Sequence, residues 1–333
     1  MESLLNVKNL SVRLHVQESL VKIVDGVDLS LNRGETIGIV GETGAGKTVT
    51  ALAILGILQP LGKGKPLWEV EGEVWYKGKD LFKLSEEERR KIRGEDIALI
   101  TQNPIPSLHP IEEIGWQTGE GVEAHKEDIE RQKVIKLVIE HLGKVEIKDA
   151  QKRFHNFREQ FSGGEGQRIL IAMSLIRNPA LLVADEPTSA LDVTVQRQIL
   201  ELLKAMKEQF KLSMLLITHN IAVVAEMCDH VYVMYAGKIA EHGDVKAIFY
   251  EPTHPFTRGL LTATPTLEGK SFKFEGIPGE PPNPLHPISG CRFHPRCKYA
   301  ELICSKEEPP LIEVKPGHRV ACLRINEVLA SQN

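Results

Sequence analysis

The chain has 333 residues, 42% of them apolar and 26% charged, with a formal net charge of −4. That composition excludes wholesale disorder, and the small negative charge offers no basic footprint for a nucleic-acid backbone. The longest apolar stretch, Val49 to Leu58, is about half of the ~20 residues a helix needs to cross a bilayer.

No basic run followed by an apolar one opens the sequence, so no secretory leader is expected and the chain should stay in the cytoplasm. Its length exceeds one ordinary compact domain and predicts a core of roughly two hundred residues with an appendage. From Val7 to Asp28 apolar residues alternate loosely, as in an antiparallel edge sheet. Thr36-Ile37-Gly38-Ile39-Val40 then reads as a short buried strand entering a glycine-rich turn. A helix starts at about Lys47, with no proline until Pro60. Gly72 to Gly78 resembles a hairpin strand. Ser85-Glu86-Glu87-Glu88 opens a helix, with Ser85 capping and Glu88 reaching back. Between Pro104 and Phe161 the chain turns polar, and the spacing of Val134, Leu137, Val138 and Leu142 predicts a helical insert. Leu181 to Ala184 and Met214 to Ile217 are unbroken apolar runs of strand length, each followed by polar residues where a parallel sheet presents its C-terminal edge. After about Ile248 prolines cluster, among them Pro252, Pro255, Pro265, Pro278 and Pro287, so that region should be mostly extended and loop-rich.

Gly41-Glu42-Thr43-Gly44-Ala45-Gly46-Lys47-Thr48 fits the P-loop pattern and lies between a predicted strand and a predicted helix, the context that motif requires. Its glycines let backbone N–H groups approach phosphates, Lys47 neutralises β/γ charge, and the Thr48 hydroxyl reaches Mg²⁺. A P-loop alone states only that phosphate is bound. The strand ending in Asp185-Glu186 narrows the class: Asp185 would hold Mg²⁺, and Glu186 would orient or deprotonate the attacking water. In isolation an Asp-Glu pair at a strand end is better read as a helix cap.

Phe161-Ser162-Gly163-Gly164-Glu165-Gly166-Gln167-Arg168, about twenty residues before that strand, resembles the signature loop of ABC ATPases. The resemblance implies an α/β fold: a P-loop NTPase (RecA-like) core with an antiparallel β subdomain, a helical subdomain and a loop-rich C-terminal extension. Its boundaries would be 1–104 and 165–248 for the two parts of the core, 105–164 for the helical subdomain and 249–333 for the extension. In that family Ser162, Gly163 and Gly164 would form a helix N-terminus that meets the γ-phosphate bound on an opposing subunit, as the macrodipole there favours an anion. A head-to-tail pair of ATPase subunits with ATP between them follows. Gln102 resembles the Q-loop glutamine that touches Mg²⁺ and water, Ser189-Ala190-Leu191-Asp192 the loop whose Asp192 reaches across the dimer, and His219 the switch histidine that contacts the γ-phosphate.

Matches over Thr48 to Gly56, Arg89 to Gly94, His254 to Leu261, Ile277 to Pro282 and Gly290 to Cys297 make the chain similar to the D-type ATPase of oligopeptide and dipeptide importers. They run from about Leu5 to Leu323. The expected partners are a second ATPase of the F type, two transmembrane permeases and an extracytoplasmic solute-binding protein, with the chain at the cytoplasmic face of the membrane and no nucleic acid bound. Three positions depart from the family pattern: Leu14-His15 stands where an aromatic stacks on adenine, leaving His15 as a weak substitute. Asn103 replaces an Asp, and Gly166 an Arg.

Cys291, Cys297, Cys304 and Cys322 have the spacing C-x5-C-x6-C-x17-C, without the paired knuckles of a zinc ribbon. Four thiolates in a loop-rich segment suit a [4Fe–4S] cluster, which similar D-type subunits carry; structural zinc and unliganded cysteines are the alternatives, with His294 and His318 as reserve ligands or exposed loop residues. A redox or metal sensor is a further reading of this tail. Cys228 reads as a small buried apolar residue. The competing function is a soluble ABC ATPase acting on nucleic acid or ribosomes, although neither a second ATPase half nor a long coiled coil is present.

Overall fold

The computed structural model describes residues 3–17, 19–58, 67–102, 104–124, 129–189, 191–262 and 276–330. Pro60, Asn103, Ala190 and Pro265 lie outside them. In chain order the elements begin with β1 (Ser3–Val16), β2 (Ser19–Asn32), β3 (Thr36–Val40), α1 (Lys47–Ile54), β4 (Trp68–Tyr76), β5 (Lys79–Asp80), α2 (Glu86–Glu95) and β6 (Ile97–Ile100). Then come α3 (Pro104–Ser107), α4 (Ile114–Glu123), α5 (Arg131–Lys144), α6 (Ala150–Arg153), α7 (Gly163–Leu175), β7 (Leu181–Asp185), α8 (Val193–Phe210) and β8 (Ser213–Thr218). The remainder comprises α9 (Ile221–Met227), β9 (His230–Tyr235), β10 (Lys238–Asp244), α10 (Val245–Tyr250), α11 (Pro255–Thr262), α12 (Leu302–Lys306), β11 (Ile312–Lys315), β12 (His318–Val320) and α13 (Ile325–Ala330).

These elements form two compact units, one of Met1–Asn32, Thr36–Phe82 and Leu216–Asn333, the other of Arg33–Glu35 and Lys83–Leu215. In the first unit β1 pairs antiparallel with both β2 and β4, giving a sheet of order β2-β1-β4-β5. The loose alternation of the sequence has a cause here. The register shifts between Val7 and Leu10, around Asn9 at φ 48, and a bulge of this kind moves the following side chains to the other phase. Leu5, Val7, Leu10 and Val12 are thereby all buried.

In the same unit β3 runs parallel to β9, while β10 pairs antiparallel with β9 and with β12, and β12 with β11. All of β3 is buried, and Gly38 is needed there because an added Cβ would lie 2.8 Å from Cys228 Sγ. Cys228 is thus the buried apolar residue the sequence implied. The C-terminal extension is loop-like from 276 to 293, yet it contributes β11 and β12. Its anchor is the wholly buried Glu241 on β10, whose carboxylate accepts from Thr253 N at 2.7 Å and His254 N at 2.9 Å and pairs with His318 Nε2 at 2.7 Å. His318 is consequently buried, and the expectation of an exposed loop histidine is corrected. Tyr235, Phe256 and Phe293 pack as an aromatic cluster with centroids 4.6 to 5.5 Å apart.

In the second unit β6 and β7 are parallel, and every residue of β7 is buried. The insert is helical as its spacing predicts: α4 packs on α5 and α7, with Val134, Val138 and Leu142 buried. Gly119 permits the approach, since an added Cβ would stand 2.8 Å from Val134 Cγ1. Ser85 and Glu88 form the expected capping box at the start of α2. β8 carries the chain from the second unit back to the first.

Candidate nucleotide site and the C-terminal cysteines

In the first unit the buried strand β3 delivers the chain into the Gly41 to Thr48 loop, and α1 opens at Lys47. Only glycine fits at position 41, because a Cβ would collide with the carbonyl oxygen of Met234. Gly44 and Gly46, at φ 81 and 99, hold left-handed backbone that side chains resist. Lys47 is 7% exposed, and its ammonium donates to Gly41 O at 2.8 Å and Glu42 O at 3.0 Å. Thr43, Gly44 and Thr48 are exposed. No acidic residue occupies the first turn of α1, so nothing there offsets the partial positive charge that a helix start presents to an anion. Ala45 O accepts from Gly237 N at 2.8 Å, tying the loop to the β9–β10 turn. His219 follows β8 and is exposed. His15 lies near the end of β1, with Nε2 2.7 Å from Glu69 Oε1.

One contact of this loop was not foreseen. Glu42 is held by Arg296 of the extension through Nη1–Oε2 at 2.6 Å and Nη2–Oε1 at 3.0 Å. Arg296 also donates to the Tyr235 hydroxyl at 3.2 Å and to Pro278 O at 2.7 Å. Burial works against the Arg296 charge, but the bonds to Glu42 and Tyr235 outweigh it and push its pKa up. Nearby, Arg292 bonds Asp25 and the carbonyl of Ala236.

The second unit holds the other expected residues. Asp185 ends β7 and Glu186 follows it, at 5% and 7% exposure, and Glu186 adopts φ 49. Left-handed backbone at a residue other than glycine costs on the order of 1–3 kcal/mol and clusters at functional sites. Ser189 braces this turn: its N–H and hydroxyl both donate to Glu186 O, at 3.1 and 3.0 Å, and the hydroxyl lies 2.9 Å from Gln102 O. Gln102 itself is exposed after β6. Ser162 caps α7, accepting from Glu165 N at 3.3 Å while its own N–H donates to Glu165 Oε2 at 2.9 Å. Gly163 and Gly164 form the first residues of that helix. The Asp192 carboxylate caps α8, accepting from Val195 N at 3.0 Å.

Cys291, Cys297, Cys304 and Cys322 do converge, lining one small cavity, and all are free thiols. Burial pushes the Cys291 and Cys322 thiols up to about 11 and raises that of Cys297 as well. Among the described residues no group of three or more His, Cys, Asp or Glu is placed to hold a metal ion. The expected [4Fe–4S] cluster, the zinc alternative and the ligand roles of the four cysteines are therefore corrected. The segment is instead held by the Arg292 and Arg296 bonds, the aromatic cluster and the hydrogen bond from Cys291 N to Cys304 O at 2.8 Å.

A buried strand, a glycine loop and a helix that opens on a buried lysine are the build of a P-loop NTPase. A family model described as ABC transporter matches residues 24–189, and one described as oligopeptide/dipeptide transporter, C-terminal region matches residues 240–304. The chain is 45% identical to the oligopeptide transport ATP-binding protein OppD of Haemophilus influenzae, covering 91% of this chain and 92% of that one. It is 43% identical to the dipeptide transport ATP-binding protein DppD of Bacillus subtilis, with 97% and 95% covered. Among solved structures, the dimeric ABC transporter cassette MJ0796 matches with a TM-score of 0.63 at 26% identity, covering 72% of this chain and 98% of that one. The chain therefore belongs to the ABC transporter family, as an ATP-hydrolysing subunit of its oligopeptide/dipeptide branch. The alternative of an ATPase acting on nucleic acid or ribosomes gives way to it.

Proposed function

We propose that this chain drives uptake of oligopeptides or dipeptides from the cytoplasmic face of a membrane, with two permease subunits, an extracytoplasmic solute-binding protein and an F-type ATPase as partners. The observation that carries the reading is the buried Lys47 ammonium at the start of α1, held within 3.0 Å of the loop's own carbonyls beside the exposed Thr48. Lys47 would exchange those carbonyls for β/γ-phosphate oxygens, with the N–H groups of Thr43 to Thr48 around them. Thr48, Asp185 and Gln102 are the residues that would hold Mg²⁺, whose charge offsets that of the phosphates when bound. Glu186 acts as general base on water and His219 meets the γ-phosphate. The strained Glu186 backbone supports the former role. Ser162, Gly163 and Gly164 close on the nucleotide of the opposing ATPase, with Asp192 at the same interface, and residues 105–164 pass the closure to the permeases. No helix among the described residues is long and apolar enough to cross a membrane, which supports separate permeases.

The test is Glu186→Gln in the assembled transporter. ATP binding should persist while hydrolysis falls by about 10²–10⁴-fold, the usual worth of a positioned base. Hydrolysis at the parent rate would remove Glu186 from that role.

A further inference from the structure

Beside the phosphate loop the first unit contains a cavity of about 320 Å³, lined on one side by Leu20, Val21 and Ile23 of β2 and on the other by Pro284, Leu285 and Ile288 of the C-terminal extension. Gly44 of the phosphate loop lines it too. The volume falls within the roughly 300–1,000 Å³ of small-molecule pockets. Leu20 and Leu285 are among the few large apolar side chains left in water, at 46% and 50% exposure, and both belong to this cavity. Isolated exposed leucines need no explanation, but two bordering one cleft beside a phosphate cradle mark a surface shaped for an apolar, flat ligand group. The extension's wall is fixed in place. Arg292, itself a lining residue, bonds Asp25 and Ala236 O, and Arg296 holds Glu42 of the loop with two hydrogen bonds at 2.6 and 3.0 Å. His15, by contrast, is engaged with Glu69 and does not line the cavity.

We propose that the C-terminal extension supplies the second wall of the base pocket. Adenine and ribose of ATP lie between Leu20–Ile23 and Pro284–Ile288, and the triphosphate continues past Gly44 to Lys47. The base is clasped by aliphatic and proline side chains from two distant parts of the chain, in place of a single stacking aromatic. The extension is then part of the nucleotide site, and its position governs ATP affinity. This inference rests on the phosphate-loop reading, so its test separates the two.

The full-length chain is titrated with ATP and with inorganic tripolyphosphate, which has phosphates and no base. Leu285→Ser, at a half-exposed position that tolerates a polar side chain, should weaken ATP binding about tenfold through loss of the apolar contact with the base and leave tripolyphosphate binding unchanged. Unaltered ATP affinity overturns the proposal. So does an equal loss for both probes, which would place the damage in the phosphate loop. Photolabelling with 8-azido-ATP should mark the peptide containing Pro282 to Ile288. Label confined to the stretch around Leu14 and His15 overturns it. A parent chain that binds neither probe sinks the phosphate-loop reading and the base pocket together, whereas one that binds both and ignores Leu285→Ser sinks the pocket alone.

Discussion

Glu42 places a carboxylate in a loop built for a triphosphate, and its cost depends on Arg296. Bidentate arginine–carboxylate pairs are strong because both bonds are charge-assisted and the fork is rigid. The Arg296 side chain is 8% exposed and that of Glu42 22%, so removal of the arginine alone leaves a poorly solvated negative charge facing the phosphates. Arg296→Gln is expected to raise the ATP dissociation constant about tenfold, corresponding to about 1.4 kcal/mol. The double variant Glu42→Gln with Arg296→Gln should recover most of it, since the repulsion goes with the carboxylate. A double-mutant cycle in ATP binding checks this. Additive effects would show that Arg296 acts on the extension's fold and not through Glu42. None of this was readable in the sequence: the partners are 254 positions apart, and a pair so separated leaves no local period or spacing.

Local elements were far more legible, because their signals are local. Ser85 with Glu88 is a capping box that the spacing alone announces, and Ser162 with Glu165 forms another at the start of α7. Ser162→Ala should lower stability by roughly 1 kcal/mol, the usual worth of such a cap, as a shift in the denaturant midpoint. Its partner glycine is less forgiving: Gly164→Ala would bring a Cβ to 2.7 Å from Val195 Cγ1, forcing α7 and α8 apart. Where sequence reading fell short, a second element was always responsible. The alternation of β1 is blurred by a bulge at Asn9 that answers to Asp28, whose carboxylate accepts from Asn9 N at 2.8 Å. His318 is buried because Glu241 awaits it on β10. The four cysteines converge on one small cavity, but what the thiols do once together depends on burial and placement, and neither is encoded in spacing.

At the scale of the whole molecule, the buried histidines couple the fold to pH. His254 is pushed down to about 4, chiefly by desolvation and only partly offset by the Glu241 carboxylate; His242 is also pushed to about 4, by desolvation and then by the positive field of His230, Arg319 and His318. An unfolded histidine titrates near 6.5. Between about pH 6.5 and 4 the unfolded chain therefore takes up protons that the folded chain refuses, and linkage makes stability fall as pH falls through that interval. Above 6.5 the contribution is complete and flat. Because His254 Nδ1 accepts from Phe256 N at 3.0 Å, protonation also removes an acceptor that the start of α11 uses. The melting temperature of the full chain should hold between pH 8 and 7 and then drop as pH is lowered towards 4.5. His254→Asn, whose carbonyl can still accept from Phe256, should shallow that slope while costing some stability at pH 8. A parent chain whose melting temperature is level from pH 7 to 4.5 would contradict the assignment of neutral, buried imidazoles to the junction of β10 with the extension.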